Sequence, residues 1–360
     1  MSHPLMDQHR DTLERAIRAI RERTCWSPYP EVPSGKIYGE SAKEDGLAAF
    51  QNRCGSRFDL RQEAGGDTFG EEVSPYGQPL QIAYPKMDID ATMDRVMAAQ
   101  HQWGGVPWED RIAICLELLH RLNRRSFELA NAVMHTTGQG FMMAFQAGGP
   151  HAQDRGLEAV AYAYEELSHI PREPVIWSKQ VSKTDTEHLR KRFHVVPRGP
   201  ALLVACSTFP TWNGYPGLFG SLATGNAVVV KPHPGCILPL AITAEVAQDL
   251  FAELELDPHI VTLVADEPEA QVTSELVQRP EFGIIDYTGS SAFGCWIEEH
   301  APHASIFAEK AGVNCAVIDG TDGRAHHVRF RGLDAFDDAP APGGIVEGRR
   351  FGGPDDPRPT

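Results

Sequence analysis

The sequence predicts an α/β fold in which a parallel sheet is covered by helices on both faces, with a helical segment placed before it. Three observations carry that expectation. From Ala201 onward, short apolar runs at 201–206, 227–231, 260–264, 282–287, 305–308 and 314–319 alternate with helical stretches near 215–223, 239–254, 268–278 and 291–300, the rhythm of successive βαβ units. The runs are continuously apolar rather than alternating, as in ALLVAC and AVVV, which is how strands buried on both faces read. Ahead of them, residues 87–170 hold helix-period patterns with no strand between.

Composition narrows the function. The 360 residues carry 33 Lys and Arg against 49 Asp and Glu, a formal charge of −16, which argues against nucleic acid or an anionic membrane surface as a partner. Seven scattered cysteines (25, 54, 115, 206, 236, 295 and 315) include no CxxC pair, so reduced thiols are expected rather than a disulfide framework or a zinc ribbon. The charged start MSHPLMDQHRDTLERAIRAIRERT has no apolar signal core, and no apolar run approaches the ~18 residues of a membrane span. A soluble, cytoplasmic protein is the expectation.

In chain order, residues 1–86 read as an N-terminal arm. Leu13, Ile17 and Ile20 give one amphipathic helix over Asp11–Arg23, and residues 24–85 are rich in Pro and Gly with weak periodicity. In 87–170, Asp90 can cap a helix to about Gln102. Pro107 suits the first turn of another, Trp108 to Met134, ended by Gly138, and a third covers about Ala152 to Ser168. Residues 171–198 contain two strand patterns, Val175–Gln180 and Arg192–Val196, suited to an oligomerisation hairpin or a plain surface hairpin. The α/β part is 199–323. The final stretch, 324–360, holds 5 Pro, 6 Gly, 6 Arg and 5 Asp but only seven large apolar residues, and a disordered tail is expected there.

Three elements carry chemistry. Lys231 ends an apolar strand, where ligands of open parallel sheets bind; on position alone, a solvated charge capping the strand is the plainer account. Tyr287-Thr288-Gly289-Ser290-Ser291 joins a strand to a helix, with a glycine that permits close backbone approach and open N–H groups that favour an anion, although most such turns bind nothing. Glu309 closes a third strand, where burial would raise its pKa and make it a general base, or where it pairs with Lys310. The histidines and glutamates at 298–303, and His326-His327, lack a convincing third ligand and read as surface groups, so no metal is expected.

Taken together, Thr208-Phe209-Pro210, Ala223-Thr224-Gly225-Asn226 with Lys231, Tyr287-Thr288-Gly289-Ser290, and Glu309-Lys310-Ala311-Gly312 resemble the aldehyde dehydrogenase superfamily across about 195–322. The run FPTWNGYPGLFGSLATGNAVVVKPHP looks most similar to the aldehyde dehydrogenases of bacterial phenylacetic acid degradation. The resemblance implies a Rossmann-type cofactor domain and NAD or NADP as cofactor. It assigns Lys231 to the adenosine ribose, Gly289 and Ser290 to the pyrophosphate, and Ser207, Thr208 and His233 to the surrounding cofactor site. Glu309 becomes the general base that activates water on a thioester formed by a cysteine thiolate. The implied substrate is a ring-cleavage semialdehyde of aromatic catabolism, and the family assembles as homo-oligomers.

Three departures qualify this. Thr208 stands where the family places the asparagine that stabilises the oxyanion, so its hydroxyl or the amide of Asn213 would have to serve. Pro234 replaces a carboxylate that many NAD-dependent members carry three residues after the lysine, and with His233 nearby NADP becomes acceptable. After Glu309 the one cysteine is Cys315, inside the apolar run NCAVID. The nucleophile and its catalytic domain are therefore expected to be missing, leaving an inactive or cofactor-binding form, or a non-catalytic regulatory subunit that keeps the dinucleotide fold.

Overall fold

A computed structural model describes residues 4–62, 66–70 and 72–310. The chain begins with α1 (Pro4–Glu22), α2 (Gly35–Tyr38), α3 (Ala42–Arg53) and the two-residue strands β1 (Thr68–Phe69) and β2 (Tyr84–Pro85). Helices α4 (Ile89–Gly105), α5 (Trp108–Arg124), α6 (Ser126–Thr137), α7 (Phe141–Gly148) and α8 (Pro150–Ser168) follow, then the antiparallel hairpin of β3 (Val175–Gln180) and β4 (Thr186–Lys191). The α/β part runs β5 (Ala201–Val204), α9 (Pro210–Ala223), β6 (Val228–Lys231), α10 (Leu238–Glu253), β7 (Val261–Leu263), α11 (Thr273–Val277), β8 (Ile284–Thr288), α12 (Ser291–His300) and β9 (Ser305–Glu309).

The five strands of the main sheet are all parallel in the order β7-β6-β5-β8-β9. The period-2 geometry of a strand divides its side chains between two cores. Ala201, Leu203, Val228, Val230, Val261 and Leu263 face α5, α8, α9 and α10. Leu202, Val204, Val229, Ile285 and Tyr287 face Met93 and Val96 of α4, Leu276 and Val277 of α11, and Ile297 of α12. Because the chain builds outward from β5 to β7 and then crosses to β8, the order reverses beside β5. The loops after β5 and β8 leave in opposite directions there, which opens a crevice. Two close approaches hold the layers: a Cβ on Gly156 of α8 would lie 2.8 Å from the ring of Phe219 on α9, and one on Gly217 of α9 would lie 2.4 Å from Oδ2 of Asp286 on β8.

One edge of the sheet is closed by a side chain. The Gln62 carboxamide donates from Nε2 to the Leu263 carbonyl at 2.7 Å and accepts at Oε1 from the Leu263 N–H at 2.8 Å. It pairs with the outer edge of β7 as a neighbouring strand would, and Gln248 Nε2 completes its acceptor at 2.9 Å.

Several expectations need correction. Residues 24–85 are not an irregular arm: α2 and α3 lie within them, and Phe50, Phe58, Leu80, Ile82 and Tyr84 are buried in the main core. Helix α3 buries only Gly46 and Phe50, so its sequence lacks a wide apolar stripe, and Gly46 instead allows close approach to Phe127. The first helix starts seven residues before Asp11, and Asp88 rather than Asp90 caps α4, accepting from the Ala91 N–H at 2.9 Å. The long helix expected from Trp108 is two, broken at Arg125; Gly138 does end the second, in the left-handed conformation. Helix α7 falls in a stretch assigned no element, and α11 is shorter than 268–278.

The second hairpin strand is Thr186–Lys191, within the polar connection, and not Arg192–Val196. The turn closes where Val181 N donates to Asp185 O, and every residue of both strands is exposed, so no apolar alternation marks them. The strand expected at 314–319, Cys315, His326-His327 and the tail 324–360 lie outside the described residues. Among the described residues, no helix is long and apolar enough to cross a membrane.

Candidate functional site

The crevice beside β5 holds a cavity of about 570 Å³, within the range of small-molecule sites. Its walls come from the carboxyl ends of three strands and from two helices. Val204 to Ser207 end and follow β5, Lys231 to Pro234 end and follow β6, and Tyr287 to Ser290 end and follow β8; Gln271 before α11, Thr273 and Ser274 of α11, and Ala292, Phe293 and Trp296 of α12 complete it. Of the residues singled out in sequence, Ser207, Lys231, His233, Gly289 and Ser290 therefore meet at one cavity.

Lys231 is not a solvated strand cap. Its Nζ lies 2.7 Å from Oδ1 of Asp266, with both side chains only 2% exposed, and it donates to the Pro232 carbonyl at 2.6 Å. A buried ammonium needs such compensation, since desolving it alone is costly. Asp266 follows β7, and its Oδ2 accepts from the Val272 N–H at 2.9 Å, tying the loop before α11 to the same pair. His233 is half-buried, and its Nδ1 accepts from the Gly235 N–H at 3.0 Å.

At β8, the turn is built for a backbone-lined surface. A Cβ on Gly289 would sit 2.3 Å from the Tyr287 hydroxyl, so no side chain fits, and that hydroxyl donates to the Ser290 carbonyl at 2.9 Å. Ser290 caps α12, its Oγ accepting from the Phe293 N–H at 3.2 Å. Phe293 and Trp296 stack with centroids 5.2 Å apart and planes 9° apart, giving the cavity a flat aromatic wall.

Thr208, Asn213 and Glu309 are not among the residues lining this cavity, although Cys206 is. The Thr208 hydroxyl and Asn213 Nδ2 both donate to the Cys206 thiol, at 3.5 and 3.4 Å, so the two oxyanion candidates converge on one sulfur. Thr208 is fixed further by Gln139 Nε2, which donates to its carbonyl at 2.6 Å. Glu309 pairs in register with Thr288, and its carbonyl accepts from the Gly289 N–H at 3.1 Å. Its side chain, at the end of the edge strand among the described residues, is exposed. The burial expected to raise its pKa acts on Asp286 instead, whose carboxyl is pushed up to about 7 by desolvation first, then by the charge of Glu309, with Arg155 opposing.

Asp266, Cys206 and Asp286 went unnoticed in the sequence reading. Asp286 had a legible signal, a carboxylate inside the strand run FGIIDYT. Asp266 had none, because it lies 35 residues from Lys231 and only the β6–β7 pairing unites them.

A profile of the aldehyde dehydrogenase family matches residues 72–326, more than half of the chain and the whole of this site. The chain belongs to the aldehyde dehydrogenase family. Among solved structures it is similar to the NAD-dependent aldehyde dehydrogenase from Burkholderia multivorans, with 54% identity and a TM-score of 0.84 over 87% of this chain and 56% of that one. Among characterised relatives, the benzaldehyde dehydrogenase [NAD(+)] of Pseudomonas putida is 22% identical over 59% of this chain and 40% of its own length. The 2-aminomuconic 6-semialdehyde dehydrogenase of a Pseudomonas species is 24% identical over 69% of this chain and 49% of its own. The chain thus spans about half the length of the relatives it matches. Membership gives the fold.

Proposed function

We propose that this chain provides the cofactor-binding part of an NAD(P)-dependent aldehyde oxidation. The observation that carries the reading is the cavity at the carboxyl ends of β5, β6 and β8, where a buried lysine, a glycine turn that excludes any side chain and a helix start face one space. These features fit a dinucleotide: Lys231 holds the ribose, and the Gly289 backbone and the α12 N-terminus with Ser290 receive the pyrophosphate. Ser207 and His233 on the cavity wall frame the rest, with Thr208 next in the chain behind Ser207. The cofactor, when bound, accepts the hydride of the aldehyde carbon.

Thr208 and Asn213 are the proposed oxyanion donors. Glu309 is the proposed base that takes a proton from water, a role that needs cover beyond what the described residues give it. A ring-cleavage semialdehyde from phenylacetate or related aromatic catabolism is the proposed substrate; the names of the aromatic- and semialdehyde-oxidising relatives support the class. In domain terms, 199–323 is proposed as the dinucleotide domain and the 171–198 hairpin as an oligomerisation element, with the protein in the cytoplasm.

Thermal melting with NAD and NADP tests the proposal, since a ligand that binds only the folded state raises Tm. A shift with either supports the cofactor site, and no shift with both rejects it. Absorbance of reduced cofactor over a panel of aromatic and semialdehyde substrates separates turnover from binding alone.

A further inference from the structure

The replacement of a family carboxylate by Pro234 predicts tolerance of NADP, but the structure supplies a carboxylate from another strand. We propose that Asp266 makes this site selective for NAD, by compensating the charge of Lys231 so that no net cation is left to recruit a 2′-phosphate. The inference rests on the dinucleotide reading above, with Lys231 at the ribose.

The geometry supports it in three ways. Asp266 Oδ1 lies 2.7 Å from Lys231 Nζ, and both side chains are 2% exposed, so solvent does little to weaken the pairing. The carboxylate is fixed, not mobile: Oδ2 is held by the Val272 N–H at 2.9 Å, and the lysine by the Pro232 carbonyl at 2.6 Å. A ligand cannot readily displace one partner, because each would be left as a buried, uncompensated charge. The His233 Nδ1 is turned to its own loop, where it accepts from the Gly235 N–H at 3.0 Å. Pro232, Pro234 and Gln271 add no charge to this side of the cavity. A ribose with free hydroxyls meets a neutral, hydrogen-bonding pair. A 2′-phosphate would bring up to two negative charges to that same pair, beside a buried carboxylate.

Calorimetric titration of the full chain with NAD and, separately, NADP tests this without requiring turnover. NAD is expected to bind at least about tenfold more tightly. In Asp266→Asn the amide oxygen can still accept from Val272 while Lys231 loses the Asp266 charge, so the NAD:NADP affinity ratio is expected to fall by about tenfold or more. Asp266→Ser is a second variant, and the wild-type ratio stands even if neither variant folds. Equal binding of the two nucleotides by the wild type, or an unchanged ratio in a folded variant, overturns the selectivity role while leaving the cofactor site intact. Binding of neither nucleotide overturns the dinucleotide reading itself.

Discussion

Lys231 and Asp266 share a position at the crest of the sheet with almost no solvent contact, whereas Arg53, Arg125, Glu128 and Glu245 form a cluster away from the cavity, with side chains 4–26% exposed. The second cluster is richer in bonds. Arg53 grips both oxygens of Glu245 at 2.7 Å, and Arg125 reaches Glu245 at 2.7 Å and Glu128 at 2.6 Å. It fastens α3 and α6 to α10, so its work is to bind a sequence-distant N-terminal helix to the α/β core. The pair at the crest joins the ends of neighbouring strands and, through Val272, the loop before α11, and its surroundings open onto a cavity. Number of ion pairs therefore does not track the cavity; complete burial of a single pair accompanies it.

That contrast can be broken by substitution. Lys231→Met leaves Asp266 buried and uncompensated, and denaturant unfolding is expected to show a loss of about 3–5 kcal/mol. Adding Asp266→Leu should recover much of it; a double variant no more stable than the single would mean that the two charges are not coupled. Arg53→Met, in the partly exposed network, is expected to cost about 1–2 kcal/mol, because Glu245 retains Arg125 and is better hydrated. The Arg53 and Arg125 hydrogen bonds overcome desolvation and hold the Glu245 pKa below its ordinary 4.5. The stability they confer is present above that value and lost as pH falls through the depressed one, so wild type and Arg53→Met should converge in acid.

A pH-dependent effect is expected at Asp286. With a folded pKa raised to about 7 from 3.8, the native state binds the extra proton between those values, and stability drains away as pH rises through that window. Melting curves from pH 5 to 8 should therefore fall more steeply for wild type than for Asp286→Asn. Parallel curves would reject the raised pKa.

The sheet and the cavity were legible because strands buried on both faces are continuous in sequence and because ligands gather at their carboxyl ends. Lys231, Gly289 and Ser290 each close or follow such a run, so linear order alone brought them together. Burial and partners were not legible in the same way. Lys231 read as a solvated cap because Asp266 belongs to another loop, and Glu309 read as buried because an apolar strand precedes it, although β9 leaves it exposed. The N-terminal 24–85 stretch was misjudged for a related reason. Its helices pack through glycine and aromatic contacts, such as Gly46 on Phe127, that leave little periodic trace.

The Gln62 amide closes the rim of β7. With the Leu263 N–H and carbonyl already satisfied, a stray strand finds no matching pair of groups on that side, and accidental stacking of sheets between molecules is blocked there. Among the described residues β9 forms the opposite margin of the sheet, so one carboxamide makes the two margins unequal.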